Sequence, residues 1–365
     1  MVSPRSRLLS FAPVCVFLCG DVMLGRGIDQ VMQLSCDPVL YESHMRSALG
    51  YVRIAEEANG PIPRKMDSVY VWGDFLEVLE RVAPDVRIIN LETAVSESDE
   101  YWEGKGINYR LHPANVNALA RLRVDIVALA NNHMLNWGCR GLAKTLKTLA
   151  DAGIRTAGAG VNRKSAAQPA VVLVGDERRV LVYSVGSTSA GVPLKWAATV
   201  DRPGVWMLDG PVGATVSEIS QRVKAVNRTG DMLTHALIDH ADVDVVHGHS
   251  SHHPRAVEIY GSKLILYGRA GNFINNYEGI WNPSWDGFRS DLTRAYFPVI
   301  DSASGKLIEL TMRPLQMHRF RLRNASVEDA AWLTSEMDRE CRKFGARVKM
   351  LDKSDGGGFV LALEW

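Results

Sequence analysis

The sequence lacks the features that define several large classes of protein. Lys and Arg number 42 against 41 for Asp and Glu, so the net charge is +1, without the basic excess that sequence-independent nucleic-acid binding requires. No apolar stretch approaches the ~20 residues that a membrane-spanning helix needs. The five cysteines are scattered and include no C-x-x-C pair, which indicates reduced thiols instead of a disulfide framework. We therefore expect a globular protein with no nucleic-acid partner and no membrane span.

The N-terminus has some features of a secretory signal, because Arg5 and Arg7 precede the apolar run 8–18. It has no A-x-A-like cleavage site, however, and residues 14–19 lead directly into Gly20 and Asp21 at the end of a predicted buried strand. Cleavage there would remove a strand of the sheet. We therefore predict an uncleaved, cytoplasmic protein, which could meet the membrane through partners.

Apolar runs rich in β-forming residues alternate with segments of helical periodicity, which predicts an α/β layered fold with a mainly buried sheet. The predicted strands are 14–19, 85–90, 124–130, 243–246 and 264–267, with hairpins formed by 171–174 and 180–185 and by 297–300 and 306–312. The predicted helices are one within 38–63, then 72–82, 113–121, 138–152, two within 214–239 that meet at Gly230, and 326–344.

Polar side chains follow four of these strands at the point where each strand ends. They are Asp21, Asn90 with Glu92, Asn132 with His133, and, in a stretch of four histidines within seven residues, His249 with His252. The carboxyl ends of buried strands meet at one edge of a sheet, so we expect these side chains to lie together. A mixed set of carboxylate, amide and imidazole groups suits Zn²⁺, Mn²⁺ or Fe²⁺ better than Ca²⁺ or Mg²⁺.

Each of these residues also has a structural interpretation. Asp21 or Asn90 alone could cap a helix or form a turn, and Asn131 with Asn132 could cap the loop before the helix that starts at Gly138. His133 alone could be a hydrogen-bonded structural histidine. His247 and His253, which flank the pair in the histidine stretch, could support it by hydrogen bonding without being ligands. The four strand ends taken together favour a joint site.

Several motifs occur in the order and spacing of a known family. They are GDVMLGRG (20–27), INLETAVS (89–96), LANNHMLNWG (129–138), TAGAG (156–160), GHSSHHPRAVEIYGSKLILYG (248–268) and GNFINNYEGI (271–280). This sequence resembles the CapA family of poly-γ-glutamate capsule synthesis, or polyglutamine synthesis accessory, proteins, which is similar to calcineurin-like metallophosphoesterases. The resemblance implies a β-sandwich flanked by helices over residues 1–320, with a C-terminal helix and tail, 321–365, packing on it.

The resemblance also implies roles for individual residues. A metal ion would be bound by Asp21, Glu92, Asn132, His249 and His252. His133 would act as general acid or orient the substrate, and Arg26 would meet an anionic substrate group. The supporting residues would be Asn90, His247, His253 and Asn272.

The sequence departs from the family pattern at three points. Met23 occupies the position of the histidine in the phosphoesterase D-x-H motif. The strand that ends in His-Trp-Gly in family members is missing after Asp231, so the sheet would lack one strand near 228–232. An extra residue also precedes Asn272. The first two departures imply a metal site with fewer ligands.

Three functional hypotheses follow. The first is a metal-dependent hydrolase, of phosphoesterase or amidase type, that serves synthesis of a polyglutamate-type or cell-envelope polymer. It would use Mn, Zn or Fe on an anionic small-molecule, peptide or polymer substrate, with the polymer-synthesis machinery as a partner. The second is a non-catalytic accessory protein that binds the polymer or that machinery. The third is a metal-free enzyme with Asp21 and His249 as its acid/base pair.

Overall fold

The computed structural model describes residues 12–175, 178–208, 216–220, 233–249, 255–267, 272–280, 289–351 and 358–365. Its strands are, in chain order, β1 (Val14–Cys19), β2 (Asp21–Val22), β3 (Val86–Leu91), β4 (Ala94–Val95), β5 (Arg110–Leu111), β6 (Ile126–Ala128), β7 (Arg155–Ala157), β8 (Ala159–Gly160), β9 (Ala170–Val174), β10 (Arg178–Val182), β11 (Gly204–Val205), β12 (Val245–His247), β13 (Val257–Tyr260), β14 (Lys263–Leu266), β15 (Asn272–Ile274), β16 (Leu292–Ile300), β17 (Leu307–His318), β18 (Arg321–Asn324), β19 (Arg347–Leu351) and β20 (Val360–Glu364).

The described helices are α1 (Gly27–Val31), α2 (Ala48–Asn59), α3 (Phe75–Val82), α4 (Asn117–Arg121), α5 (Gly138–Asp151), α6 (Arg163–Ala166), α7 (Leu233–Ala241) and α8 (Val327–Cys341). Short 3₁₀ turns precede α3 and α4, at Tyr70–Trp72 and Pro113–Val116. Within these ranges, every helix is too short or too polar to cross a lipid bilayer.

Eleven strands form one mixed sheet, with the order β15-β2-β3-β1-β16-β17-β20-β19, in which β6 also pairs with β3 and β7, and β18 with β17. Strand β2 is parallel to both β3 and β15, and β3 is parallel to β6. From β16 onward the neighbours are antiparallel. The carboxyl ends of β2, β3, β6 and β15 therefore lie along the same edge of the sheet, which is where the polar residues follow the strands.

Alternate residues of β1 pack into two separate cores on the two faces of this sheet. Phe17 faces the helices α1 to α5, and its ring lies 5.2 Å from the ring of Phe75 and 5.9 Å from that of Phe273. Val16 and Leu18 face strands β9, β13 and β14 and helix α8. On that second face other strands and helix α8 pack against the sheet, while helices α1 to α5 cover the first. The predicted α/β layered fold is confirmed.

The predicted elements have close counterparts in the structure. Both hairpins are present, as β9 with β10 and β16 with β17. The predicted helix 72–82 begins at Phe75, since residues 70–72 form a 3₁₀ turn. The predicted helix 326–344 corresponds to α8, and Ser326 caps it by accepting a hydrogen bond from the Asp329 backbone N–H. The helix junction predicted at Gly230 and the missing strand near 228–232 lie outside the described residues.

The C-terminal segment contributes more to the sheet than the sequence indicates. The prediction for 321–365 was a helix and a tail packing on the preceding fold. The structure places β20 beside β17 and β19 beside β20, so the tail extends the main sheet. Helix α8 packs on the second core through Leu333 and Met337. The division at residue 320 stays a prediction, although both parts share one sheet and one core.

Candidate functional site

The strand ends bring four of the predicted site residues together in the interior. Strand register places Asp21 directly opposite Asn90 on one side and Asn272 on the other. Glu92 follows β3 immediately, and its backbone N–H donates a hydrogen bond to the Val22 carbonyl oxygen. Asp21 and Glu92 are each 1% exposed. Two carboxyl groups are therefore buried side by side at the edge of the parallel strands.

A chain of amide hydrogen bonds links these strand ends to the loop after β6. The backbone N–H of His133 donates to Asn131 Oδ1 at 3.0 Å. Asn131 Nδ2 donates to Asn90 Oδ1 at 3.1 Å and to the Leu91 carbonyl oxygen at 2.9 Å. Asn90 Nδ2 then donates to Asp21 Oδ1 at 2.8 Å. Because the first donor is a backbone N–H, the orientation of both amides is fixed along the chain.

His249 reaches the same aspartate from a different sheet. Strands β12, β14 and β13 form a separate three-stranded sheet, and His249 follows β12. Its Nδ1 lies 3.0 Å from Asp21 Oδ1, and its ring centroid lies 4.2 Å from that of His247. Burial lowers the pKa of His247 well below its usual value, and the neighbouring His249 lowers it further. His247 is therefore neutral near pH 7, and it packs against the imidazole that contacts Asp21.

Glu92 is the most unusual group of the site. Neither of its carboxylate oxygens has a hydrogen-bond partner among the described residues, and the nearest described basic nitrogen is His133 Nε2, 3.9 Å from Oε1. Burial raises the pKa of the Glu92 carboxyl well above its usual range, and the charge of Asp21 raises it further, while Lys105 and Arg26 lower it. A buried carboxylate without hydrogen bonds is costly, so Glu92 needs a proton or a cation.

His133 is held on three sides. Its imidazole stacks on the Tyr109 ring with centroids 3.9 Å apart, and its Nδ1 lies 2.8 Å from Asn136 Oδ1. The amide chain holds its backbone, as described above. With 5% of its surface exposed, His133 presents Nε2 to Glu92 in a fixed orientation.

Arg26 is 4% exposed and is enclosed by other side chains. Its guanidinium donates to Glu42 Oε1 at 2.9 Å and to Asn276 Oδ1 at 2.9 Å. The same group lies over the Tyr51 and Tyr109 rings, 4.0 and 4.6 Å from their centroids. The prediction that Arg26 meets an anionic substrate group stays a prediction. In the structure Arg26 contacts the site by packing on Tyr109, the ring that stacks on His133.

The remaining predicted residues differ in whether the structure places them beside Asp21 and Glu92. Asn272 lies in β15 beside Asp21, as expected from the strand order. Asn132 is partly exposed, and its Oδ1 is buried without a hydrogen-bond partner among the described residues. His252 and His253 lie outside the described residues.

Sequence reasoning overlooked several residues of the site. Asn131 was considered only as part of a loop cap, although it links Asn90 to His133. Asn136 follows His133 by three residues within LANNHMLNWG, a spacing that could have indicated the contact. Tyr109 and Tyr277, whose hydroxyl oxygens are 2.6 Å apart, carried no signal in the sequence.

The donor groups at the strand ends suit the predicted metal ion only in part. Within the described part of the chain, no group of three or more His, Cys, Asp or Glu side chains is arranged to hold a metal ion. Asp21, Glu92 and His249 nevertheless supply oxygen and nitrogen donors of the predicted kind, and the Glu92 carboxylate without hydrogen bonds fits a cation. The metal ion therefore stays a prediction, which the types of donor at the site fit but for which the described residues form no ready ligand group.

Comparison with known proteins identifies the family. Residues 15–233 and 226–277 match the model of the family described as bacterial capsule synthesis protein PGA_cap. A probable polyglutamine synthesis accessory protein of Mycobacterium tuberculosis (strain H37Rv) is 46% identical over 357 residues, covering 92% of this chain and 93% of that protein. The PGA biosynthesis protein CapA of Bacillus subtilis (strain 168) is 23% identical over 288 residues, covering 74% of this chain and 66% of that protein.

The chain therefore belongs to the bacterial capsule synthesis protein PGA_cap family, which confirms the resemblance inferred from the motifs. The two matched parts meet around residues 226–233, where the sequence analysis placed the missing strand.

Proposed function

We propose that this protein acts in the synthesis of a polyglutamate-type or cell-envelope polymer through a buried carboxylate–imidazole site that binds a divalent cation. The family and the names of the relatives support the process. The site is supported by one observation above all, namely that Glu92 is buried beside Asp21 with no hydrogen bond to either oxygen among the described residues. A bound cation would neutralise this pair of carboxylates.

The roles of the residues follow from their positions. Asp21 and Glu92 would hold a Mn, Zn or Fe ion, with His249 and the predicted ligands Asn132 and His252 completing the set. Such an ion lowers the pKa of a bound water and polarises a phosphoryl or acyl oxygen. His133, with Nε2 directed at Glu92, would give or take a proton at the substrate. The substrate would be an anionic small molecule, peptide or polymer, and the reaction a hydrolysis or related transfer.

A metal-free enzyme is the second candidate, favoured by the 3.0 Å contact between His249 Nδ1 and Asp21 Oδ1. A carboxylate–imidazole pair of this kind can transfer protons without a metal. The accessory-protein hypothesis predicts no turnover at all.

We further propose a cytoplasmic location, which cell fractionation would test.

The first experiment is elemental analysis of the purified protein after incubation with Mn²⁺ or Zn²⁺ and removal of excess metal. We expect about one or more ions per chain, and loss of bound metal in Glu92→Gln and in His249→Ala. His318→Ala is the matched control, because His318 is not a predicted ligand and lies on β17, which is separated from β3 in the sheet by β1 and β16. Equal metal contents in the native protein and in both site variants would overturn the proposed metal site.

The second experiment measures hydrolysis of a γ-glutamyl peptide and of a simple phosphate ester, with Mn²⁺ and with chelator. Turnover that requires metal supports the first candidate, whereas turnover that persists in chelator supports the metal-free enzyme. Binding of polyglutamate without turnover in either condition supports the accessory protein. A protein that shows no turnover and no binding of polyglutamate would contradict the proposed function.

A further inference from the structure

We propose that Asn136 is a positioning residue that sets the tautomer of His133, so that the neutral imidazole carries its proton on Nδ1 and its lone pair on Nε2, towards Glu92. The importance of this tautomer rests on the proposed function, in which His133 moves a proton at the substrate. The tautomer itself follows from hydrogen-bond directions and stands independently of any activity.

The direction of two hydrogen bonds establishes the tautomer. The backbone N–H of Tyr109 points at the Asn136 side chain, 2.8 Å from Oδ1. A backbone N–H can only donate, so the atom that it meets must be the amide oxygen and not the amide nitrogen. The same oxygen lies 2.8 Å from His133 Nδ1. Since an amide oxygen can only accept, Nδ1 must be the donor and must carry the proton.

The opposite tautomer would be unfavourable in this arrangement. With the proton on Nε2, the lone pair of Nδ1 would face the lone pairs of Asn136 Oδ1 at 2.8 Å. Rotation of the amide would relieve that repulsion only by turning its NH₂ group towards the Tyr109 N–H, where two donors would meet. Asn136 is 0% exposed, so water cannot replace the lost bond readily.

Tyr109 couples the two parts of this arrangement. Its backbone N–H orients the Asn136 amide, while its ring stacks on the His133 imidazole with an interplanar angle of 19°. The imidazole plane and the imidazole tautomer are thus both set by one residue and its hydrogen-bond partner. The nitrogen that faces Glu92 Oε1, 3.9 Å away, is the one that can accept a proton.

The test is nitrogen NMR of protein labelled with ¹⁵N in its histidines, in chelator and at a pH where His133 is neutral. Long-range ¹H–¹⁵N correlations distinguish the two tautomers, and His133→Gln assigns the signals. We expect the Nδ1–H form in the native protein. Asn136→Ala should give a mixed or reversed tautomer. Asn136→Asp should retain the Nδ1–H form, because it keeps the accepting oxygen and removes an NH₂ that has no hydrogen-bond partner among the described residues.

A native protein with the proton on Nε2 would overturn the inference. So would a folded Asn136→Ala variant with an unchanged tautomer, or an Asn136→Asp variant that loses it. If Asn136→Ala does not fold, the native and Asn136→Asp spectra still decide the question. These spectra need neither metal nor substrate, so failure of the proposed function would leave their result intact, and failure here would leave the metal and turnover experiments intact.

Discussion

Replacing Glu92 by Gln should stabilise the metal-free protein at neutral pH, an unusual result for a substitution at a buried site. The structure gives the reason, since Glu92 is 1% exposed and its oxygens have no hydrogen-bond partner among the described residues. Gln has nearly the same shape but no charge. The variant therefore removes the burial of a charge beside Asp21 while leaving the packing in place.

The pH dependence follows from the direction of the pKa shift. Burial and then Asp21 raise the pKa of Glu92 in the folded state above the usual value for Glu, about 4.3. A raised carboxyl pKa means that the folded state binds the proton more tightly than the unfolded state. The native protein therefore loses stability as pH rises from about 4.3 through the raised pKa. Glu92→Gln, which does not titrate there, should show a smaller loss, because only the raised pKa values of groups such as Asp29 and Glu278 remain.

The size of the effect can be bounded. A buried polar group without a partner costs about 1–3 kcal/mol, and a charged group costs more. Because the Gln amide remains buried, we expect a net gain of about 1–3 kcal/mol in the free energy of unfolding above the raised pKa. With metal at one hundred times its dissociation constant, the native protein should gain about 2.7 kcal/mol, and the variant much less.

The assay is chemical denaturation of both proteins across pH, in chelator and with Mn²⁺. Glu309→Gln is the matched control, because Glu309 is exposed on β17 and its replacement should change neither curve. A Glu92→Gln variant that is less stable than the native protein in chelator at pH 7 would refute this reasoning. It would show that the Glu92 carboxylate has a stabilising partner.

Three further outcomes are expected in unfolding experiments. Phe17→Ala should cost about 3–5 kcal/mol, because its ring fills the core between sheet and helices; a loss under 1 kcal/mol would contradict this packing. Asn90→Ala should cost about 1–3 kcal/mol by breaking the amide chain, and an unchanged denaturation midpoint would contradict it. Burial raises the pKa of Asp338, but hydrogen bonds from Arg347, Arg342 and a backbone N–H outweigh it and lower the pKa. Stability should therefore fall below about pH 4, and it should fall less in Asp338→Asn than in the native protein.

The strand ends were predictable because two simple regularities coincide there. Buried parallel strands are rich in apolar and β-branched residues, which are visible in the sequence as a continuous run at 14–19 and as Val86, Ile88 and Ile89 within 85–90. Parallel neighbours also bring their carboxyl ends to one edge, so Asp21, Asn90 and Glu92 could be grouped without knowing the full strand order. The prediction needed only local pattern and one topological rule.

The surroundings of Arg26 were not predictable in the same way. Its acceptors Glu42 and Asn276 are 16 and 250 residues away along the chain. Of the tyrosines around it, Tyr277 follows Asn276 directly, while Tyr51 and Tyr109 come from two further segments. A glycine-flanked arginine in the sequence indicates an exposed loop, whereas tertiary packing buried this one. The place of β19 in the main sheet was not predictable for a related reason, because β19 is an edge strand with exposed Arg347 and Leu351 and lacks a continuous apolar run.

The two halves of the site depend on different parts of the fold. Asp21, Asn90 and Glu92 belong to the main sheet, and the amide chain ties them to the loop that carries His133. His249 comes from the separate three-stranded sheet and meets Asp21 through one hydrogen bond. The family segment that is predicted to be missing after Asp231 would precede α7 and β12, on the path that leads to His249. Its loss should therefore weaken the contribution of His249 to cation binding and leave the Asp21–Glu92–His133 half in place. Even a weakly metal-binding protein would then keep the buried carboxylates and the oriented imidazole on which the proposed chemistry depends.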